Sequence, residues 1–237
     1  MPCSTCHCPF QEIREAEGEF SSAEIRCSLD DLVQRVSFRA GEVLFVQGQP
    51  SACLFAVSDG MVKICSYSPD GREQIVGLST PRSLLVGLQS MSDERYAYTA
   101  IAATDVRACK VYHRTLLEMI STRADLAMRL IRSMNAQLAH SRSLTEVLGH
   151  NCAAAKIASF ILVITPKSKN GNGTYPLPFS RLEIANLLGL SEETVCRMMA
   201  SMKRDGAIHT SRGKIEICDW ERLHEIADGR ARVELHH

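Results

Sequence analysis

Cysteines are the residues of this sequence whose types and spacing most directly suggest chemistry. Ten occur among the 237 residues, and three of them, Cys3, Cys6 and Cys8, lie within six positions, with His7 among them. Thiolate and imidazole groups at this density can hold zinc or a haem iron, and paired thiols can form a redox disulfide. One residue between Cys6 and Cys8 is poor spacing for a standard zinc finger. The spacing alone leaves these alternatives open.

A second group of polar residues shares one face of a predicted helix. Glu193, Cys196 and Arg197 fall within about one turn of each other. An arginine can donate two hydrogen bonds to guanine O6 and N7, and a carboxylate can accept one from cytosine N4. Together with the helix-turn-helix pattern of the residues around it, this face is predicted to read bases in a DNA major groove. The alternative is a Glu193–Arg197 ion pair on a solvated face, worth about 0.3 kcal/mol.

The residues around this face have the pattern of a helix-turn-helix. Ser180 to Glu183 fits a capping box, and Phe179 with Ile184 fits a hydrophobic staple, so a helix is predicted to begin there. Gly189 supplies the positive φ of a tight turn, and Ser191 can cap a second helix that runs to about Asp205. The predicted shared core consists of Ile184, Leu188, Leu190, Val195 and Met198, with the small Ala185 where the helices touch.

A predicted hairpin, which would form a wing, and a local excess of positive charge also indicate DNA binding. Residues 208–217 form two short runs that turn at Arg212-Gly213. Residues 151–214 contain nine Lys or Arg against four Asp or Glu, although the whole chain has 27 residues of each sign. The predicted DNA-binding residues are Ser191, Glu193, Thr194, Cys196, Arg197 and Arg212.

Two further patterns precede this region. From about Arg39 to Val111, short apolar runs alternate with turns such as Asp59-Gly60, which predicts an antiparallel sandwich or barrel. From residue 114 to 148 glycine and proline are absent, which predicts one long amphipathic helix. Its apolar stripe is predicted to form a coiled-coil-like dimer seam, the alternative being a helix packed wholly on its own barrel. The predicted seam residues are Leu126, Leu130, Met134 and Leu138.

Composition and missing motifs exclude several classes of protein. With 45% hydrophobic and 23% charged residues the chain has globular composition, and its length favours two domains. No apolar run approaches the roughly 18 residues of a membrane helix, and residues 1–4 lack the order of a signal peptide. We therefore expect a cytoplasmic protein without a membrane partner. No Walker loop, Gly-x-Ser-x-Gly or HExxH motif is present, so no enzyme is predicted.

The β-roll, the long helix and the winged helix containing Leu188 to Arg197 together resemble the CRP/FNR family over nearly the whole chain. Gly71-Arg72-Glu73-Gln74-Ile75 resembles its FNR-type branch. The resemblance implies an α+β fold with an antiparallel β-roll of the cyclic-nucleotide-binding jelly-roll type, a dimerisation helix and a C-terminal winged helix-turn-helix. We divide the chain accordingly into a cysteine-containing segment (1–20), a β-roll sensor domain (21–113), a dimerisation helix (114–149) and a DNA-binding domain (150–237).

The resemblance also implies a function. Members bind palindromic operators in double-stranded DNA as homodimers and contact RNA polymerase. Glu193, Cys196 and Arg197 fall on the three base-reading positions. The middle position is commonly serine or glycine in the family, so Cys196 departs from the pattern.

What the β-roll senses is implied in the same way. Family members that bind cyclic AMP carry a Gly-Glu pair and an Arg-Ser pair; the stretch from Leu84 lacks the first, and Arg95 precedes Tyr96 rather than serine. No cyclic nucleotide is therefore expected. The FNR-type branch instead holds a [4Fe-4S] cluster on N-terminal cysteines and one β-roll cysteine. This implies the ligands Cys3, Cys6, Cys8 and Cys109, with Cys27 as the alternative to Cys8.

The expected function is thus an oxygen- or redox-responsive regulator in which the cluster controls dimerisation and DNA binding. The alternatives are sensing by thiol redox, by haem or NO, or by a small-molecule effector in the β-roll. Cys53, Cys65 and Cys152 are predicted to be small buried side chains, and the same behaviour is the alternative for Cys109.

Overall fold

The structure is a computed structural model that describes residues 33–80, 85–90, 94–122, 152–165 and 173–230, with single helical positions between residues 124 and 149. The chain divides into two compact units, Met1–His140 (unit 1) and Ser141–His237 (unit 2). Several predicted site residues lie outside the described residues: Cys3, Cys6, His7, Cys8, Cys27 and Leu126.

Unit 1 is built from short strands separated by tight turns, as the apolar runs predicted. The strands are β1 (Val33–Phe38), β2 (Val43–Phe45), β3 (Cys53–Asp59), β4 (Val62–Tyr67), β5 (Glu73–Ser79), β6 (Leu85–Val86), β7 (Thr99–Ala102) and β8 (Val106–Tyr112). They form two four-stranded sheets in the orders β1-β8-β3-β6 and β2-β7-β4-β5, and every pairing in these two sheets is antiparallel. The predicted antiparallel β-roll is therefore confirmed.

Aromatic side chains fill the core between these two sheets. Phe45 and Tyr96 stack with ring centroids 3.9 Å apart, and Phe55 meets Phe45 at 6.1 Å and Phe38 at 5.8 Å. The edge-to-face contact of Phe38 with Phe55 contributes about 1 kcal/mol beyond its burial. The core also contains Val57 and residues from β4, β7 and β8. One face of each sheet is thereby committed to the interior.

A helix follows the last strand of unit 1. Helix α1 spans His113–Thr122, and every described position between residues 124 and 138 is also helical. The described part matches the long helix that the sequence predicts. The first residue, His113, is buried, and its backbone N–H donates to the Ala52 carbonyl at 3.0 Å, which ties the start of α1 to the β-roll.

Unit 2 combines helices with a small sheet. Its elements are α2 (Ala153–Ile164), β9 (Thr174–Pro176), α3 (Arg181–Leu188), α4 (Glu192–Arg204), β10 (Ile208–Ser211), β11 (Lys214–Ile217) and α5 (Trp220–Ala227). The strand order is β10-β11-β9, again antiparallel. Helix α2 is hydrophobic nearly all round and packs against α4 and α5. The two units give the α+β class that the sequence predicts.

Among the described residues, no helix has both the length and the apolar character that crossing a membrane requires.

Two β-roll turns provide a matched test of this fold. Gly48 and Gly60 both have positive φ, of 81° and 86°, but a Cβ added at Gly60 would lie 2.1 Å from the Asp105 carbonyl oxygen, whereas at Gly48 it would meet nothing within 4 Å. We expect Gly48→Ala to lower the free energy of unfolding by about 1 kcal/mol through backbone strain alone. Gly60→Ala should lower it by about 3 kcal/mol, because the backbone must also shift. Urea denaturation followed by circular dichroism measures both, and equal losses would contradict the described Gly60–Asp105 approach.

Candidate nucleic-acid interface

The helix-turn-helix begins at a complete capping box. The Ser180 hydroxyl accepts from the Glu183 backbone N–H at 3.1 Å, and the Glu183 carboxylate accepts from the Ser180 backbone N–H at 2.8 Å. At the other end of α3, Gly189 adopts the left-handed conformation (φ 63°, ψ 43°), and the next N–H, of Leu190, donates to Ala185. The predicted start and turn are therefore confirmed.

Helix α4 is held by a cap at its first turn. The Ser191 hydroxyl accepts from the Thr194 backbone N–H at 3.2 Å and lies 2.8 Å from the Thr194 hydroxyl. The helix ends with Asp205 as its C-cap, which matches the predicted end. Ser191 thus sets where α4 starts, in addition to being a predicted DNA-binding residue.

One side of α4 is buried and the other is exposed. Val195, Met198 and Met202 are at most 5% exposed, and they pack in the same core as Ile184 and Leu188 of α3. The predicted core residues Ile184, Leu188, Val195 and Met198 are buried, whereas Leu190 is only half-buried. Three further buried residues of α4 were not predicted: Met199, Ser201 and Met202. With that side occupied, Glu193, Cys196 and Arg197 point outward together.

On the exposed face of α4, Glu193 and Arg197 form the ion pair that the sequence analysis gave as the alternative to base reading. Arg197 Nη1 lies 3.4 Å from Glu193 Oε1, and the two side chains are 51% and 85% exposed. A pair this exposed contributes about 0.5 kcal/mol or less. Both groups can therefore exchange their mutual contact for base edges at little cost. The ion pair and base reading are compatible.

The hairpin after α4 has the predicted turn. Ser211 of β10 pairs with Lys214 of β11, so Arg212 and Gly213 form the tip, and Arg212 and Lys214 are exposed. The third strand of this sheet, β9, was not predicted. Leu177, the residue just after it, donates its N–H to the Gly213 carbonyl at 2.9 Å. A three-residue strand ending in proline gives almost no periodic signal.

In unit 1, Cys109 lies on the face of its sheet that is turned away from the aromatic core. Its strand neighbour Ala108 belongs to that core, and successive residues of a strand point to opposite faces. Cys109 pairs with Arg35 of β1 and Ala56 of β3, and it is buried, with 9% of its surface exposed, as the alternative to a cluster ligand predicts. Of the cysteines implied as cluster ligands, it is the one that the structure describes. No group of three or more potential metal ligands occurs among the described residues.

The other cysteines follow the prediction with one exception. Cys53 and Cys65 are buried, as expected. Cys152 was predicted to be buried, and this is wrong, because it is exposed. It occupies the N-cap position of α2, before the apolar side of the helix begins at Ala154 and Ala155, and its side chain makes no capping bond.

The described residues of the long helix expose apolar side chains. Met134 and Leu138, two predicted seam residues, are 49% and 52% exposed, whereas Leu130 is half-buried. Leu117 and Ile131, which the prediction did not include, are 52% and 48% exposed. The predicted spacing of four residues does not include them, whereas a coiled-coil seam would alternate spacings of three and four.

The residues predicted to disfavour a cyclic nucleotide have defined partners. Arg95 Nη1 donates to the Gly48 carbonyl oxygen at 2.7 Å. The Tyr96 hydroxyl donates to the Cys53 carbonyl oxygen at 2.6 Å, and burial raises the pKa of Tyr96 to about 12. The Arg-Tyr pair therefore braces the β-roll itself.

Comparisons with known proteins agree with both units. A cyclic nucleotide-binding domain model matches residues 35–123, and a Crp-like helix-turn-helix domain model matches residues 155–226. The transcriptional activator protein FnrA of Stutzerimonas stutzeri is 32% identical over 206 residues, covering 85% of this chain and 84% of that protein. The nitrogen fixation regulation protein FixK of Bradyrhizobium diazoefficiens is 32% identical over 213 residues, covering 89% and 88%.

A solved structure shows the same architecture. FixK2 from Bradyrhizobium japonicum superposes with a TM-score of 0.70 at 25% identity, covering 82% of this chain and 96% of that one. The fold, the exposed α4 face and the matched models define a DNA-binding transcriptional regulator and not an enzyme. The chain belongs to the CRP/FNR family.

Proposed function

We propose that this chain is a homodimeric, sequence-specific transcription regulator that reads a palindromic operator and responds to oxygen or redox state. The exposed face of α4 is the observation that carries the DNA-reading part. Glu193, Cys196 and Arg197 lie in its first two turns, the end of a recognition helix that enters the major groove. Arg197 would donate to guanine, Glu193 would accept from cytosine, and Cys196 would lie against the base beside them.

Residues around this face supply contacts to the DNA backbone. Ser191 and Thr194 stand at the N-terminus of α4, where backbone N–H groups and the helix dipole favour phosphate. Arg212 and Lys214 on the exposed hairpin place two positive charges on the wing. Such contacts orient the protein on the duplex without selecting a sequence.

The apolar stripe of the long helix supports a dimer. Its members repeat at alternating spacings of three and four residues: Leu117, Ile120, Ala124, Ala127, Ile131, Met134 and Leu138. That repeat places all seven residues along one face of the helix, as in a two-helix seam, and four of the seven side chains are about half exposed in the single chain. A second copy would cover them and would present two recognition helices to two half-sites. Relatives named transcriptional activators support action on RNA polymerase.

The sensing part of the proposal depends on Cys109. A [4Fe-4S] cluster takes thiolate ligands, and Cys109 lies on the β-roll face opposite the aromatic core. Cys3, Cys6 and Cys8 would complete the set, with Cys27 as the alternative to Cys8. When bound, such a cluster supplies sensitivity to oxygen. Because α1 begins four residues after Cys109, a ligand change at this strand would be transmitted to the helix that carries the apolar stripe.

The β-roll supports this sensor better than a cyclic nucleotide. Arg95, the residue that would bind a phosphate, is bonded to Gly48 of its own unit, and Tyr96 occupies the interior against Phe45. The match to a cyclic nucleotide-binding domain therefore describes the fold of this unit. We propose that no cyclic nucleotide is bound.

Replacing Arg197 tests base reading. On the operator that the wild-type chain selects from random-sequence DNA, Arg197→Ala should cost about 1 to 3 kcal/mol and relax specificity at one base pair. Arg114→Ala is the matched control, because Arg114 forms an exposed i,i+4 pair with Glu118 at 3.0 Å in unit 1. Binding isotherms at several salt concentrations measure the effect. If Arg197→Ala changes only the salt dependence, Arg197 is a phosphate contact instead.

Replacing Cys109 tests the cluster. Anaerobically purified wild-type protein should contain roughly four irons per chain and lose them in air, together with operator affinity. Cys109→Ser should lose the iron and sulfide, whereas Cys65→Ser should keep both, because Cys65 donates to Glu73 within its own hairpin. Iron and sulfide analysis measures this. Wild-type iron content in Cys109→Ser, or iron-free protein that binds the operator equally well in air, would contradict the proposed sensor.

A further inference from the structure

Helix α5 carries an arginine whose position suggests a role in DNA recognition. We infer that Arg222 is a positioning residue that fixes the orientation of the recognition helix α4 by clamping Asp205 at its C-terminal end. The inference rests on the DNA-reading role proposed for α4. It concerns an end of that helix that the base-reading residues do not occupy.

The clamp is a two-pronged ion pair. Arg222 Nε lies 2.7 Å from Asp205 Oδ2, and Nη2 lies 3.2 Å from Asp205 Oδ1. The remaining nitrogen, Nη1, lies 3.1 Å from Glu225 Oε2. This bidentate arrangement restricts direction as well as distance, which a single point contact does not. Arg222 therefore fixes Asp205 relative to α5.

The pair is also the most shielded ion pair between described residues of unit 2. The Arg222 and Asp205 side chains are 30% and 31% exposed, whereas Arg197 and Glu193 are 51% and 85% exposed, and Arg230 and its partner Asp228 are 79% and 50% exposed. Exposed pairs contribute little, but shielding and bidentate geometry raise the contribution. Asp205 alone would place a negative charge at the negative end of the α4 dipole. Arg222 removes that repulsion.

Backbone bonds join the same two elements. The Ala207 carbonyl, two residues after the α4 C-cap, accepts the N–H groups of Cys218 at 3.0 Å and Asp219 at 3.2 Å. Asp219 in turn caps α5 by accepting from the Arg222 N–H at 2.9 Å. The end of α4 and the start of α5 are therefore connected through both main chain and side chain.

Small errors in the angle of α4 matter because the reading residues lie at its opposite end. A helix of 13 residues is about 20 Å long, so a tilt of about 3° at Asp205 displaces the first turn by about 1 Å. Hydrogen bonds to base edges tolerate a donor–acceptor range of roughly 0.5 Å. Loss of the clamp should therefore weaken base contacts and leave phosphate contacts largely intact.

Operator binding by four full-chain variants tests the clamp, at a temperature where circular dichroism shows each of them folded. Arg222→Ala should bind the selected operator about tenfold more weakly, with unchanged affinity for a random duplex and an unchanged salt slope. Arg222→Lys should recover only part of the loss, because lysine lacks the fork. Arg230→Ala, which removes an equal charge from an exposed pair, should bind as wild type.

The fourth variant, Asp205→Ala, shows whether Arg222 acts through Asp205. It should lose about the same operator affinity as Arg222→Ala, since either change breaks the same contact. Three results would overturn the inference: a lower melting temperature with wild-type operator affinity, a salt slope reduced by about one phosphate contact, or equal losses on operator and random DNA. If the wild-type chain itself prefers no operator over random DNA, the proposed function fails, which is a separate outcome.

Discussion

The burial of one side of α4 is the constraint on which the proposed DNA-reading face depends. Val195, Met198 and Met202 share a core with α3 and pack near α2, so the helix cannot rotate without exposing three large side chains. Burying each contributes about 2 kcal/mol, far more than the exposed Glu193–Arg197 pair. The core therefore decides which side chains face outward. The polar residues gain their common direction from packing and not from each other.

In the β-roll, too, the packing of the core decides which residues lie on the other face of the sheet. Its aromatic core takes the inner face of both sheets, and strand alternation then places Cys109 on the outer face next to Arg35 and Ala56. Arg95 and Tyr96 are used to brace the roll. A unit with the fold of a cyclic nucleotide-binding domain thus retains the architecture while Arg95 and Tyr96 make their contacts within the roll, and the sensor proposed for it depends on Cys109.

Features set by local sequence could be predicted, and features set by distant contacts could not. The capping box at Ser180, the turn at Gly189 and the wing tip at Arg212 each depend on a few adjacent residues, and all were confirmed. The Arg222–Asp205 clamp joins residues 17 apart on different elements, and β9 is too short for a periodic signal. The exposure of Cys152 depends on where the first turn of α2 begins, which sequence patterns locate only to within about two residues.

Selection of operators from a random-sequence DNA pool by the anaerobically purified full chain tests the central claim most directly. The account predicts enrichment of a two-fold symmetric sequence whose half-sites lie about one helical turn apart, each containing a G·C pair within reach of Arg197 and Glu193. Enrichment of no sequence, or of a single asymmetric site bound by one chain, would contradict a dimeric regulator that reads bases with the exposed face of α4.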